Sequence, residues 1–182
     1  MEAMAGTAER ELARIVASAA DGDPVAFGQI VAAYHDDMVR VCMYVARSET
    51  LAEDAVQAAW SIAWRKLDSV REPERLRPWL VRVAVNESKK LLNKRRRRSE
   101  VEVVADASHR PGGLDPATGV ESIDLRAALD QLHPDDRALL AMRYIAGFDA
   151  TELSAATGIS PAGTRTRLKR LLDQLRQDLS DG

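Results

Sequence analysis

The stretch LRPWLVRVAVNESKKLLNKRRRR, residues 76–98, predicts one helix with an apolar face and a basic face. At 3.6 residues per turn its aliphatic side chains fall on one broad arc. The opposite face is polar and mostly basic: Arg82, Asn86, Lys89, Asn93, Arg96 and Arg97. Pro78 suits a first helical turn, where its missing N–H costs no hydrogen bond, so Arg77 is the expected boundary. We expect the apolar face to enter a core and the basic face to bind an anion.

Charge alternates along the chain. The net charge is only -2, yet residues 71–98 hold eleven basic and three acidic residues. Residues 1–70 and 99–136 carry net charges of -5 and -7, and residues 137–182 carry +2. Localised positive zones are typical of a protein that contacts nucleic acid with some surfaces and avoids it with others.

The expected fold class is all-α, with two small helical domains joined by a flexible linker. Apolar residues keep helical spacing on both sides of residues 99–120, a segment that contains Pro111, Pro116 and three glycines. The predicted organisation is a helical extension at 1–22, a first domain at 23–98, a linker at 99–120 and a second domain at 121–182. A flexible linker of this length spans about 25 to 30 Å, so the two domains could lie apart.

The end of the chain predicts a helix-turn-helix. Asp149 and Glu152 have the spacing of a capping box, Gly158 follows as a turn residue, and Pro161 begins a longer helix. The candidate DNA contacts lie just after that turn: Arg165, Thr166, Arg167, Lys169 and Arg170. Arg can bind guanine through two hydrogen bonds, and Arg, Lys and Thr can all bind phosphates. A helical hairpin with a charged exposed face is the alternative.

A second helix, starting near residue 50, carries a polar and acidic stripe of Glu53, Asp54 and Gln57 opposite its apolar side. Acids near a helix N-terminus are favoured by the helix dipole, so a solvated face accounts for them as well as a partner surface does. Trp60 and Trp64 are expected in the core or at its rim.

Several classes of site and protein are not indicated. Cys42 is the single cysteine and fits plain packing in a reducing compartment, and the three histidines have no metal-ligand spacing. No phosphate loop, nucleophile or acid–base pair is recognisable, so we expect no enzyme, no cofactor and no metal. No run approaches a membrane span and no signal pattern begins the chain, so a cytoplasmic protein without membrane insertion is expected.

These residues together resemble the bacterial RNA polymerase sigma factors of the extracytoplasmic-function (ECF) group. The resemblance covers about 150 residues in the expected order. It includes residues 23–27, 52–57, the two tryptophans that follow, Trp79 to the arginine run, and in the second half residues 125–132, 152–153, 158–161 and 165–168.

The resemblance implies a transcription initiation factor that binds core RNA polymerase and promoter DNA, and that is held by an anti-sigma factor. In such proteins the helix matching Glu53, Asp54 and Gln57 docks on the polymerase. The loop and helix at 68–98 engage the -10 element, here through Arg75, Arg77, Arg82, Asn86, Lys89, Lys90 and Asn93. The helix-turn-helix contacts the -35 element. Gly163 stands where the family commonly has Thr, so a loose first turn of the last helix is expected.

Two alternatives stay open. A stand-alone helix-turn-helix regulator would usually dimerise on a palindrome, and the chain has no evident dimer helix. A sigma-like decoy would bind an anti-sigma factor without binding DNA, and the retained arginines argue against that.

Overall fold

The structure is a computed structural model that describes the backbone of residues 2–102 and 120–180. Within those ranges it forms eight α-helices and no strand. They are α1 (Glu2–Ala20), α2 (Pro24–Ala46), α3 (Glu49–Lys66), α4 (Leu76–Glu102), α5 (Val120–Gln131), α6 (Pro134–Tyr144), α7 (Ala150–Thr157) and α8 (Pro161–Ser180). Two short 3-10 turns, Leu67–Ser69 and Pro73–Arg75, connect α3 to α4. The predicted all-α class is confirmed.

Local signals account for several helix ends. Asp23 caps α2 by accepting a hydrogen bond from the Val25 N–H, and Pro24 follows at the first helical position. At the other end Arg47 adopts a left-handed conformation with φ of 55°. Helix α4 begins at Leu76, one residue before the predicted boundary, and continues to Glu102, past the predicted start of the linker. Residues 103–119, most of that predicted linker, lie outside the described residues.

The first half has a core of α2, α3 and α4, with α1 packed against α2. Met38, Val56 and Leu80 are fully buried, one from each of the three helices. The remaining core side chains are chiefly aliphatic. On α4 the aliphatic residues of the predicted arc are buried or half-buried, and Ser88 is buried with them. Most of the basic face is left at the surface.

The second half contains the predicted helix-turn-helix in α7 and α8. Asp149 and Glu152 form the capping box with both reciprocal hydrogen bonds, and Gly158 ends α7 with φ of 74°. Gly163 does not loosen the next helix as expected. A Cβ there would lie 2.9 Å from Ile159 Cγ2 and 3.2 Å from Ser160 Oγ, so the absent side chain lets the turn pack closely.

The two halves contact each other, although the linker length allows them to lie apart. Helix α6 packs along α2, and α7 packs along α4. The Arg137 guanidinium of α6 donates to the Val45 carbonyl oxygen at the end of α2, with Nη2 at 3.1 Å. Beside it, Arg47 forms an ion pair with Asp130 at 2.7 Å. Hydrogen bonds to backbone carbonyls, which hydropathy patterns do not show, hold this arrangement.

Candidate nucleic-acid and polymerase interfaces

Helix α4 presents the residues predicted to engage the -10 element in two different environments. Arg82, Asn86 and Asn93 are exposed, and exposed Lys90 bonds Glu87 on the same helix at 2.6 Å. Lys89 is half-buried, and its Nζ lies 2.8 Å from Asp135 Oδ1 on α6. The hydrogen bond from Lys89 lowers the pKa of the Asp135 carboxyl. One member of the predicted set is therefore bound to the second half of the chain.

Arg77 is also turned toward the second half of the chain. Its Nε donates to Asp37 Oδ2 at 2.9 Å, and its Nη2 donates to the Ala146 carbonyl oxygen. The guanidinium lies over the Phe148 ring, 4.8 Å from the centroid, and Nη1 is 3.7 Å from Glu152 Oε1. By contrast Arg75 is exposed and pairs only locally, with Glu72. In this structure the guanidinium of Arg77 is therefore bound by groups of the protein itself.

A cavity of about 330 Å³ opens beside the loop that precedes α4. Arg71, Arg75 and Arg82 line it together with the half-buried ring of Trp79. Aromatic faces stack on unpaired bases and cations hold phosphates, so this lining suits a base displaced from a duplex. The sequence prediction omitted Arg71 and Trp79. In the sequence, Arg71 and Trp79 alternate with Arg75, Arg77 and Arg82, and this pattern could have indicated that they share a surface.

A second cavity, of about 390 Å³, lies between the two halves. Arg82, Asn86 and Lys89 line it from α4, and Arg167 lines it from α8. The structure therefore brings three members of the predicted -10 set next to one member of the predicted -35 set. Nothing in their sequence spacing indicated this proximity.

Helix α8 separates its buried and basic residues as predicted for a recognition helix. Thr164, Leu168, Leu171 and Leu175 are buried. Four of the five predicted DNA contacts are exposed: Arg165, Thr166, Lys169 and Arg170. The fifth, Arg167, is half-buried, and its Nε lies 2.7 Å from Asp136 Oδ1 at the start of α6.

Helix α3 carries the predicted polymerase surface on its outer side. Glu53, Asp54 and Gln57 are exposed, while the alanines and Val56 of the opposite side are buried. One and two turns further along, the same side carries Trp60 and Trp64. Phe27 packs in a T-shaped arrangement against both tryptophan rings, with centroid distances of 5.8 and 4.9 Å.

Trp60 is half-buried, and its Nε1 donates to His35 Nδ1 at 3.2 Å, whereas Trp64 remains 44% exposed. The acidic stripe thus continues into an ordered aromatic surface. The sequence placed both tryptophans in the core or at its rim and did not join them to the stripe.

The described ranges, 2–102 and 120–180, give no indication of a metal site or of a membrane span. No group of three or more His, Cys, Asp or Glu side chains there has an arrangement that could hold a metal ion. None of the helices described is long and apolar enough to cross a membrane.

Comparison with known families agrees with this division into two halves. Residues 30–98 match the sigma-70 region 2 model, and residues 122–175 match a sigma-70 region 4 model. RNA polymerase sigma factor CarQ from Myxococcus xanthus is 30% identical over 165 residues, which cover 88% of this chain and 93% of CarQ. ECF sigma factor SigW from Bacillus subtilis is 25% identical, over 88% of this chain and 92% of its own.

The chain belongs to the ECF sigma factors. Family membership confirms the predicted function of promoter-specific transcription initiation with core RNA polymerase. Among solved structures, CnrH in complex with the cytosolic domain of CnrY has a TM-score of 0.67 at 27% identity, over 92% of this chain and 96% of CnrH. RpoE of Bartonella quintana, in complex with the anti-sigma factor NepR, has a TM-score of 0.69 over 85% of this chain and 96% of RpoE. At 22% identity it supports the fold alone.

Proposed function

We propose that this ECF sigma factor uses three separate surfaces to bind the two promoter elements and core polymerase. The loop and basic face at 68–98 engage the -10 element, the exposed face of α8 binds the -35 element, and the outer side of α3 docks on core polymerase. The observation that carries the proposal is that α4 and α8 each bury an aliphatic side and present cations on the other. Residues 23–98 and 121–182 would then be the two recognition domains, with 1–22 as an extension and 99–120 as the connection between them.

At the -10 element, the cavity beside Trp79 would take a base displaced from the duplex. Stacking on an aromatic ring contributes about 1 to 3 kcal/mol per base, independently of base identity. Arg71 and Arg75 stand at the same cavity and would hold the adjacent phosphates. Arg82, Asn86, Lys90 and Asn93 would continue the contact along α4, and Arg77 and Lys89 would join when released from the second half. Opening of DNA and its capture would then occur on one continuous surface.

At the -35 element, α8 would enter the major groove with its N-terminal turns. Arg165 and Thr166 lie in the first two turns, and Lys169 and Arg170 lie one turn later on the exposed side. Each well-placed bidentate Arg contact with guanine discriminates against the wrong base by about 1 to 3 kcal/mol. Arg167 would add a contact once its bond with Asp136 is broken.

On α3, the acidic stripe and Trp64 together suit a partner helix that presents both basic and apolar side chains. Aromatic residues at the centre of an interface commonly carry most of its binding energy. Glu53 and Asp54 would then favour encounter with a basic partner and fix its orientation. This assigns the interaction with core polymerase to Glu53, Asp54, Gln57 and Trp64.

An anti-sigma factor is the further proposed partner, and the cytoplasm, where polymerase and promoter DNA are found, is the proposed location. An apolar cavity of about 190 Å³ lies where α2, α5, α6 and α8 meet. Tyr44, Leu129 and Leu172 line it beside the exposed side chains of Leu125 and Tyr144. CnrH, which is 27% identical to this chain, was solved in complex with the cytosolic domain of a second protein, CnrY, and this supports a protein partner here.

The test is transcription reconstituted with core polymerase and promoters recovered by sequencing the DNA that the holoenzyme binds. R165A/K169A should weaken binding to the -35 duplex at least tenfold while polymerase binding stays unchanged. R176A, which removes an exposed arginine near the far end of the same helix, is the control and should retain full activity.

The other two surfaces need separate readouts. E53K/D54K should lower polymerase binding and leave the unfolding temperature unchanged, since both carboxylates are exposed. W79A should slow promoter opening more than it weakens duplex binding. Loss of every activity in all three variants, or of none, would refute the division of roles, and a chain that never stimulates polymerase would refute the function.

A further inference from the structure

The outward side of α8 has short side chains along its centre. Thr164 and Leu168 are buried, and Thr166 lies between them in sequence, about 200° round the helix from each. Thr166 and Ala162, which lies one turn earlier, are exposed and face directly away from the core. We refer to these two residues as the central line of α8. A recognition helix enters the major groove with its outward side, so the central line is the part that meets the base edges.

The edges of the same side carry the cations. Lys169 lies about 60° from Thr166 in one direction round the helix, and Arg170 lies about 40° from it in the other. Both are exposed. Long basic side chains in these positions extend toward the phosphates that border the groove. Phosphate binding and base contact therefore fall on different residues of one surface.

The hydroxyl group of Thr166 is already used within α8. Its Oγ1 donates to the Ala162 carbonyl oxygen at 3.1 Å. A threonine hydroxyl has a single proton, so none is left for a phosphate or for the acceptor atoms of guanine and thymine. The other end atom of the side chain is the Cγ2 methyl. Toward DNA, Thr166 therefore presents a small apolar group.

The start of α8 is narrow enough for such a short side chain to reach a base. Residues 161–164 read PAGT, and none of them has a long side chain. A Cβ at Gly163 would lie 2.9 Å from Ile159 Cγ2, so the absence of a side chain keeps this turn compact. Small residues let a backbone approach a ligand closely. The first turns of α8 can therefore come near the floor of the groove.

We propose that Thr166 recognises a thymine of the -35 element through contact between its Cγ2 methyl and the 5-methyl group of the base, with Ala162 beside it. The inference rests on the proposed function, because it takes α8 as the helix that binds the -35 element. Thymine is the one base of the four that presents a methyl group in the major groove, so this contact distinguishes it from the others.

The test measures binding of the reconstituted holoenzyme to promoter duplexes in which each thymine of the -35 element, on either strand, is replaced in turn by deoxyuridine. This replacement removes only the 5-methyl group. T166S removes Cγ2 and keeps the hydroxyl, whereas T166V keeps a methyl and removes the hydroxyl. T151S, the same change at an exposed threonine of α7, is the matched control. Circular dichroism and thermal melting establish that each variant is folded.

Wild type, T166V and T151S should bind one of the deoxyuridine duplexes about fourfold more weakly than the thymine duplex, which is the cost of losing one buried methyl group. T166S should bind these two duplexes equally. The inference is overturned if no deoxyuridine weakens binding by wild type. It is also overturned if T166S keeps the preference for thymine or if T166V loses it.

The R165A/K169A variant in the same assay separates failure of this inference from failure of the proposed function. If R165A/K169A binds the -35 duplex as wild type does, α8 is not the helix that binds this element, and the proposed function is wrong on that point. If R165A/K169A binds more weakly and the thymine methyl groups still have no effect, only the role of Thr166 is wrong.

Discussion

The guanidinium of Arg77 lies 4.8 Å from the centroid of the Phe148 ring. This contact joins the first arginine of α4 to the loop before α7. Phe148 is fully buried, and its carbonyl oxygen accepts a hydrogen bond from Arg143 Nη1 at 2.8 Å. Phe148 thus packs in the core of the second half and makes a cation–π contact with an arginine of the first half.

Replacing Phe148 with Ala should lower the free energy of unfolding by about 3 to 5 kcal/mol, because a fully buried aromatic leaves a cavity. Urea denaturation followed by circular dichroism measures the loss. Leu179, which is 41% exposed near the end of α8, provides the control, and L179A should cost less than about 1 kcal/mol. Similar losses for both would mean that Phe148 is not part of a packed core.

Arg137 should be sensitive even to a conservative change. Its guanidinium bonds the Leu132 carbonyl oxygen at 2.8 Å and the Val45 carbonyl oxygen at 3.1 Å, and lysine cannot reproduce that fork. We expect R137K to lower the free energy of unfolding by about 2 kcal/mol, since a buried carbonyl is left without a donor. R176K, at an exposed site, should leave it unchanged. Equal denaturation curves for R137K and wild type would show that the contact does not persist in solution.

The pair of Lys89 with Asp135 should make stability depend on acid pH. The hydrogen bond from Lys89 holds the pKa of Asp135 below its ordinary value, which is about 4. The pair therefore stabilises the folded chain at pH values above that ordinary value, and the contribution is lost as pH falls through the lowered pKa.

Unfolding curves at pH 6 and pH 3 measure this effect. The difference in stability between the two should be smaller in K89M than in wild type. K94M, which removes an exposed lysine of the same helix, should retain the wild-type difference. A K89M variant with unaltered acid dependence would contradict the prediction.

Cys42 should be unreactive in the folded protein. Burial raises the pKa of its thiol to about 11. Because the thiolate is the reactive form, an alkylating reagent at pH 8 should label the native chain far more slowly than the chain in denaturant. Mass spectrometry over time measures both rates. Comparable rates would mean that α2 opens readily.

Much of the site was predictable because its residues lie on single helices. The face that carries Arg82 and Asn86 follows from the helical period alone, and the capping box of Asp149 with Glu152 fixed the start of α7. Arg71 and Trp79 were missed because a cavity formed by a loop and a helix has no fixed spacing. Trp64 was missed as a surface residue because periodicity does not distinguish the rim of a core from its centre.

The helices, their buried faces and the two zones of positive charge follow from residue order, since they depend on residues within a few turns of one another. The groups that the cations bind depend on how the helices pack. Asp135 and Asp136 lie in the first turn of α6, where the helix dipole favours acids, and Arg77 was expected at a helix boundary and at the -10 element. Packing of α6 and α7 on α2 and α4 turned them into partners, because ion pairs and bonds to backbone carbonyls depend on distances in space that sequence spacing does not encode.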